Sequence, residues 1–139
     1  MTGQDSDAYR ALLELRAAYA RAIDYGRWEE YAQLFTTDTE VVYPRETLNG
    51  RQAVYEYGRD RVEYEYSMHT AQMPELEIDG NTASGEWYML VFYIATDGTQ
   101  GHVLGSYTDE YRRVDGSWKF DRMVATVAHD TGGYHKLSP

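Results

Sequence analysis

The N-terminal part of the chain places apolar residues at the period of an α-helix. The stripe ends at Ile23, and Gly26 follows, which is typical of a glycine that terminates a helix. Ser6 or Asp7 is the expected N-cap. The first helix is therefore predicted between these points, with one face turned towards a core. Its inner stripe consists of Tyr9, Leu12, Leu13, Arg16, Tyr19, Ala20 and Ile23.

Two shorter helices and one strand are predicted next. Helical spacing recurs at residues 28–35 and 51–61, and residues 40–43 have the composition of a short strand that stops at Pro44. The Asn49-Gly50 pair indicates a turn before the last of these helices.

The rest of the chain alternates apolar and polar residues as β-strands do. Strands are predicted at residues 64–78, with an interruption near Pro74, and at 82–95, 101–114 and 118–128. Turns that contain glycine join them, so the strands form an antiparallel meander. Helices followed by a meander predict an α+β fold, and a curved sheet around a helix leaves a pocket for a small molecule. We expect one domain over residues 1–139, in which about 130–139 form a flexible tail or a cap over the pocket.

Composition and charge exclude several classes of function. The net charge of -10 argues against nucleic acid and anionic membranes as partners. The absence of cysteine excludes disulfides and thiol catalysis. No apolar run approaches the roughly 20 residues of a membrane span, and the polar start lacks the features of a signal peptide, so a cytoplasmic location is expected. The chain has 14 tyrosines against 3 phenylalanines, which suits either a half-wet cavity or the surface of a twisted sheet.

Two segments carry a family resemblance. In residues 24–35, an acid ends a helix, a glycine turns the chain, and a tryptophan begins a second apolar stripe. In residues 105–120, a tyrosine-rich strand is followed by a strand with a Gly-Ser-Trp start. Together they resemble the SnoaL-like group of the NTF2-like superfamily. That resemblance implies a cone in which three N-terminal helices pack in a strongly curved, mixed but mostly antiparallel sheet.

The resemblance also implies a catalytic group. Among SnoaL-like enzymes, the chain is similar to the scytalone dehydratases, the bile acid 7α-dehydratases and the hexachlorocyclohexane dehydrochlorinases. The shared positions are an aspartate at the end of the first helix, here Asp24, and a histidine on the first long strand, here His69. Tyr19 and Tyr43 also match tyrosines of these enzymes. No cofactor is implied.

Physical chemistry gives these residues plausible roles and plain alternatives. A histidine whose far nitrogen is held by a carboxylate is a suitable base for an elimination. Ser67, Ala71 and Met73 alternate on the same strand face as the histidine at 69. The alternatives are that Asp24 pairs with Arg21 or Arg27, and that the histidine belongs to the core. Phenols at positions 19 and 43 are either donors that stabilise an enolate or core residues.

Other polar and aromatic residues are candidates for binding the substrate. His102 lies in a strand next to a turn, where mere exposure is the alternative. Arg122 alternates with the apolar positions of the last strand, where a salt bridge is the alternative. No two of the four histidines have ligand spacing on one element, so no metal site is expected. The predicted substrate-binding residues are His102, Arg122, Trp87, Tyr107 and Met73.

Three functions remain open from the sequence. The first is a cofactor-independent lyase, a dehydratase, that acts on a small hydrophobic polycyclic, polyketide or steroid-like molecule. The second is an isomerase or cyclase that uses the same residues. The third is a non-catalytic module for ligand binding or dimerisation. Exposed aromatic residues on the sheet and the family resemblance favour a homodimer or homotrimer.

Overall fold

The helices occupy the N-terminal part of the chain, as the periodicity predicts. The computed structural model describes residues 2–139. Its helices are α1 (Gly3–Asp24), α2 (Trp28–Gln33) and α3 (Arg51–Arg61). α1 begins earlier than predicted because Thr2, rather than Ser6 or Asp7, caps it. The Thr2 hydroxyl accepts a hydrogen bond from the Asp5 backbone N–H at 3.0 Å, and the Asp5 carboxylate accepts one from the Thr2 backbone N–H at 3.3 Å. This capping box satisfies backbone donors that have no partner within the helix.

Six strands form one open, mixed sheet. They are β1 (Phe35–Tyr43), β2 (Glu46–Asn49), β3 (Tyr64–Asp79), β4 (Thr82–Ala95), β5 (Gln100–Val114) and β6 (Ser117–Asp130). Their spatial order is β2-β1-β6-β5-β4-β3. β1 and β6 run parallel, and the other neighbouring strands run antiparallel. The predicted α+β cone with a mostly antiparallel sheet is confirmed. None of the helices among residues 2–139 is long and apolar enough to cross a membrane.

The region between α2 and α3 differs most from the prediction. The predicted second helix ends at Gln33 instead of 35, because Phe35 already pairs with Phe120 at the start of β1. β1 is longer than the predicted strand, and β2 was not predicted. β2 has four residues, of which only Leu48 is buried, so it carries too little alternation to be recognised.

The β3 face that was predicted to carry Ser67, His69, Ala71 and Met73 is interrupted before Met73. Ser67 is buried and His69 and Ala71 are half-buried. The register then shifts between Gln72 and Glu75, and Met73 takes a positive φ of 53°. A bulge of this kind inserts an extra residue and turns later side chains to the other face.

A buried ion pair fixes α1 against the sheet. Arg16 of α1 donates from Nε to Asp109 of β5 at 2.9 Å and from Nη2 at 2.5 Å. The two residues are 3% and 1% exposed. The Tyr111 hydroxyl also donates to Asp109, at 2.5 Å, and receives a hydrogen bond from Trp87 Nε1 at 2.9 Å. This network holds the middle of the helix over the concave face of the sheet, next to the cavity described below.

Candidate active site

A cavity of about 120 Å³ lies between the C-terminal half of α1 and the concave face of the sheet. Much of its wall is aliphatic, with Val91 and Val103 from neighbouring strands. The polar side chains on the wall are phenols and imidazoles, with Arg45 and Lys136 also contributing. An apolar cavity with few polar groups is the usual setting for binding a small molecule.

Asp24 and His69 are brought together on this wall. The Asp24 Oδ1 atom lies 2.7 Å from His69 Nδ1, and its carboxylate also accepts a hydrogen bond from the His69 backbone N–H at 3.0 Å. The Ser67 hydroxyl donates to the same carboxylate at 2.8 Å. The side chains of Asp24 and His69 are 12% and 10% exposed. The predicted alternative, a pair between Asp24 and Arg21 or Arg27, is not formed.

This clamp determines which ring nitrogen of His69 can exchange a proton. An ionised carboxylate can only accept, so the proton on the ring is assigned to Nδ1. Nε2 makes no hydrogen bond with any of residues 2–139, and the ring belongs to the cavity wall. The carboxylate therefore holds the orientation and tautomer of the imidazole, as a general base requires.

Three tyrosine hydroxyls form a chain beside the imidazole. Tyr43 lies 2.9 Å from Tyr19 and 2.6 Å from Tyr31, measured between hydroxyl oxygens. Three phenols carry three protons, and the two hydrogen bonds between them use only two. If Tyr31 donates to Tyr43 and Tyr43 donates to Tyr19, the Tyr19 proton remains available to a ligand oxygen. The Tyr19 and His69 ring centroids are 6.3 Å apart, so both groups can contact one small molecule.

These phenols are donors and not bases at neutral pH. Burial raises the pKa of Tyr19, Tyr31 and Tyr43 well above its ordinary value. Burial also raises the pKa of Tyr107 to about 12, although the Arg16 guanidinium opposes the shift. The Arg16 guanidinium carbon lies 3.7 Å from the centroid of the Tyr107 ring. The ion pair below the cavity therefore supports the aromatic wall directly.

The C-terminal segment lies across the cavity. His135 and Lys136 contribute to its wall. The Tyr134 carbonyl accepts a hydrogen bond from Arg45 Nη2 at 2.9 Å. Farther along, the Ser138 backbone N–H donates to the Val127 carbonyl at 2.8 Å. The segment at residues 131–139 thus contributes to the cavity wall and is tied to the rest of the fold by these hydrogen bonds.

The substrate-binding candidates separate into two groups, because only Tyr107 reaches the cavity. Trp87 is buried at 4% exposure, but its indole points to Tyr111 in the ion-pair network. Met73 is 73% exposed, because the β3 bulge turns it away from the concave face. The structure therefore corrects the placement predicted for Trp87 and Met73.

His102 and Arg122 also lie away from the cavity. The His102 ring packs against Phe92, with the centroids 5.7 Å apart, and neither ring belongs to the cavity wall. Arg122 is exposed and donates to Glu40 at 2.6 Å, which is the salt bridge considered as its alternative. The structure therefore corrects the placement predicted for both residues. His102 alternates with the buried positions of β5, and a register shift between β5 and β6 turns Arg122 away from the face that carries Phe120.

The sequence analysis did not identify several residues of the cavity wall as site residues. Tyr57 stacks on Tyr43 with the ring centroids 4.7 Å apart. The Tyr64 hydroxyl oxygen lies 2.5 Å from His135 Nε2, and His135 Nδ1 lies 2.8 Å from Asp130 Oδ2. An aspartate five residues before a histidine is a weak signal that becomes informative only when both lie in a segment expected to cap a pocket.

Comparisons with known proteins agree with the fold. The SnoaL-like domain family matches residues 4–124. A candidate scytalone dehydratase from Novosphingobium aromaticivorans is 25% identical, covers 99% of this chain and 95% of its own, and superposes with a TM-score of 0.92. The hexachlorocyclohexane dehydrochlorinase LinA-type3 from Novosphingobium barchaimii is 22% identical, with coverages of 99% and 100% and a TM-score of 0.83. An NTF2-like protein from Salmonella enterica is 17% identical, with coverages of 96% and 99% and a TM-score of 0.83.

Proposed function

Since the chain belongs to the SnoaL-like domain family, we propose that it is a cofactor-independent lyase that catalyses a dehydratase-like elimination. The observation that carries the proposal is the Asp24–His69 pair, joined at 2.7 Å on the wall of an apolar cavity. The similarity to a candidate scytalone dehydratase and to a dehydrochlorinase supports an elimination over other reactions of the fold. The substrate class proposed is a small hydrophobic molecule with a leaving group β to a carbonyl.

The first step is removal of a proton from carbon. His69 Nε2 takes the proton from the carbon next to the carbonyl, while its Nδ1–H remains bonded to Asp24. Asp24 stabilises the imidazolium that forms, and it keeps the ring from rotating. The electron pair of the broken C–H bond becomes the new C=C bond as the leaving group departs.

The tyrosine chain stabilises the charge that develops on the carbonyl oxygen. Tyr19 presents the hydroxyl proton that no hydrogen bond among the three tyrosines uses, and Tyr43 holds the Tyr19 hydroxyl in place. Preorganised donors of this type are worth about 3–4 kcal/mol in the transition state when they act in a water-excluded site. The phenols remain protonated because burial raises their pKa, so they do not compete with His69 for the substrate proton.

The cavity size restricts the substrate. A cavity of roughly 150 Å³ holds a benzene molecule, and the cavity here has a volume of about 120 Å³. With the C-terminal segment in place, the cavity therefore has room for no more than about one six-membered ring. This favours a monocyclic substrate over the polycyclic or steroid-like molecules expected from the sequence.

The test is elimination of water from 3-hydroxycyclohexanone, a one-ring β-hydroxy ketone. The product, cyclohex-2-enone, is followed by the ultraviolet absorption of its conjugated system and by mass spectrometry. We expect His69→Gln to reduce kcat/KM by about 10²–10⁴-fold, the usual contribution of a general base. Asp24→Asn should reduce it in the same direction because the tautomer of His69 is then no longer fixed.

The matched control is His102→Gln, which changes a histidine outside the cavity and should leave kcat/KM within a factor of about two of wild type. Equal losses in His69→Gln and His102→Gln would contradict the proposal. So would the absence of turnover across a panel of monocyclic β-hydroxy ketones, and the protein would then be a binding module. A product of unchanged mass would instead indicate an isomerase.

A further inference from the structure

A second carboxylate–histidine pair is built into the C-terminal segment with the same contacts as the first. Asp130 Oδ2 accepts from the His135 backbone N–H at 2.6 Å and from His135 Nδ1 at 2.8 Å. Asp24 binds the backbone N–H and the Nδ1 of His69 in the same manner. Each carboxylate therefore clamps one imidazole through Nδ1 and makes no contact with its Nε2.

The carboxylate of this second pair is itself firmly held. The Asp130 side chain is 1% exposed. It also accepts hydrogen bonds from the Tyr93 hydroxyl at 2.6 Å and from the Gly132 backbone N–H at 3.0 Å. These contacts order the turn after β6 and determine where the His135 ring lies. A side chain that merely closed the cavity would not need an oriented tautomer.

The second imidazole belongs to the same cavity as the first. His135 lines the cavity wall, and its Nε2 lies 2.5 Å from the Tyr64 hydroxyl oxygen, which accepts from the imidazolium and donates to the neutral ring. The Tyr64 ring centroid is 5.9 Å from that of His69 and 5.8 Å from that of His135. A ring-sized ligand that contacts the Tyr64 hydroxyl is thus within reach of both imidazoles.

The charges around His135 link its protonation to that of the neighbouring imidazole. Burial lowers the pKa of His135 below 6.5, hydrogen bonding to Asp130 opposes this, and positive charge on His69 or Arg45 lowers it further. Protonating one imidazole therefore disfavours protonating the other, so the titrations are coupled. The titratable and charged groups that face the His135 ring are Asp130, Tyr64, Tyr93, Tyr134, His69 and Arg45.

We propose that Asp130–His135 is a second proton-transfer pair of this site and that His135 protonates the leaving hydroxyl while His69 removes the proton from carbon. The proposal rests on the elimination proposed above. His69 Nε2 gains a proton from carbon, the C–H pair forms the C=C bond, and the C–O pair leaves with the oxygen. In molecules in which His135 is the imidazolium, the ligand oxygen takes the place of the Tyr64 hydroxyl at Nε2 and receives the Nε2 proton, so that water departs. One proton then passes from His69 to His135 through solvent and restores the starting state.

A change of leaving group tests this role. Hydroxide must be protonated to depart, whereas chloride departs as the anion, so 3-hydroxycyclohexanone and 3-chlorocyclohexanone differ in their need for an acid. We expect His135→Gln to lower kcat/KM for the alcohol by about 10²–10⁴-fold and to lower it at least tenfold less for the chloride, after subtraction of the spontaneous reaction. His69→Gln should lower both to a similar extent.

The pH profile and a control variant complete the test. Since catalysis needs one protonated and one neutral imidazole, kcat/KM for the alcohol should be bell-shaped, and His135→Gln should remove the decline on the alkaline side. His129→Gln changes an exposed histidine on β6 and controls for loss of an imidazole. Equal losses for alcohol and chloride in His135→Gln, or an unchanged bell, would overturn the proposal and leave His135 as a structural cap.

A measurement without substrate separates this proposal from the proposed function. The histidine ring signals of the intact protein are titrated by NMR, in wild type and in His69→Gln. We expect the pKa of His135 to rise in His69→Gln, because a neighbouring positive charge is lost. If the wild type turns over neither compound, the proposed elimination is refuted. The titration then tests separately whether the two imidazoles are coupled, and an unchanged pKa of His135 in His69→Gln refutes that coupling.

Discussion

The ion pair under the cavity makes a quantitative prediction for Asp109→Asn. Asparagine has nearly the same shape, but it removes the negative charge that faces Arg16. Burial alone would lower the pKa of Arg16, yet Asp109 raises it overall, so the guanidinium is charged in the folded protein. The substitution therefore leaves a buried cation, 3% exposed, without its counterion.

The expected loss follows from that geometry. Removing one partner of a buried ion pair costs about 3–5 kcal/mol in the free energy of unfolding. For a chain of 139 residues, an unfolding entropy of about 2.1 cal/mol/K per residue gives about 0.3 kcal/mol/K. The variant should therefore unfold roughly 10–17 °C below the wild type.

Thermal and urea unfolding, followed by circular dichroism, measure this loss. The matched control is Asp38→Asn, because Asp38 pairs with Arg112 through a side chain that is 73% exposed. Exposed pairs contribute about 0–1 kcal/mol, so this control should unfold within about 3 °C of wild type. A loss in Asp109→Asn no larger than in Asp38→Asn would refute the reasoning. The double variant Arg16→Met/Asp109→Leu should recover much of the stability, since no unpaired charge remains.

Two further predictions concern the tyrosine chain and the C-terminal segment. Tyr43→Phe removes both hydrogen bonds of the tyrosine chain and leaves the buried Tyr31 hydroxyl without a partner. It should lower the free energy of unfolding, measured in urea, by about 1–3 kcal/mol and reduce kcat of the elimination. Unchanged stability would contradict the hydrogen bonds assigned to Tyr43. Burial lowers the pKa of His135 from 6.5. Burial alone would raise the pKa of Asp130, but hydrogen bonds from Tyr93 and His135 lower that pKa below 3.8. Because both folded-state values lie below the unfolded ones, stability present above pH 6.5 is lost as the pH falls, first through His135 and then through Asp130. Amide hydrogen exchange, corrected for intrinsic rates, measures this loss. The protection of residues 131–139 should fall on acidification, while the protection of β5 persists. An equal fall in both regions would contradict the prediction.

The parts of the fold that sequence could predict are those with many repeated positions. α1 presents a stripe over 22 residues, and β3, β4, β5 and β6 alternate over 14 to 16 residues each. β2 has four residues and one buried side chain, so no period exists to be detected. The bulge at Met73 depends on a pairing shift with β4, which periodicity within β3 cannot reveal.

The same distinction applies to the candidate site. Asp24 and His69 lie 45 positions apart, and only the family resemblance connects them in the sequence. His102 lies five positions from Tyr107 on β5, so alternation alone puts the two on opposite faces of the sheet. Arg122 shares the predicted face of Phe120, but a register shift between β5 and β6 turns it to the other face, which periodicity within β6 cannot reveal. Arg16 belonged to the predicted inner stripe, yet its role as a buried cation became visible only with its partner 93 positions away.

The two carboxylate–histidine pairs are assembled in different ways, and this difference bears on how the site works. The Asp24–His69 clamp joins the end of α1 to β3, so it exists only when the helix is docked on the sheet. The Asp130–His135 clamp spans five positions and forms within one turn, but its imidazole reaches the cavity only when the C-terminal segment lies across it. The first pair therefore depends on the docking of α1, whereas the second depends on where the C-terminal segment lies. Under the elimination proposed above, a substitution that displaced this segment would remove the proposed acid and leave the proposed base in place.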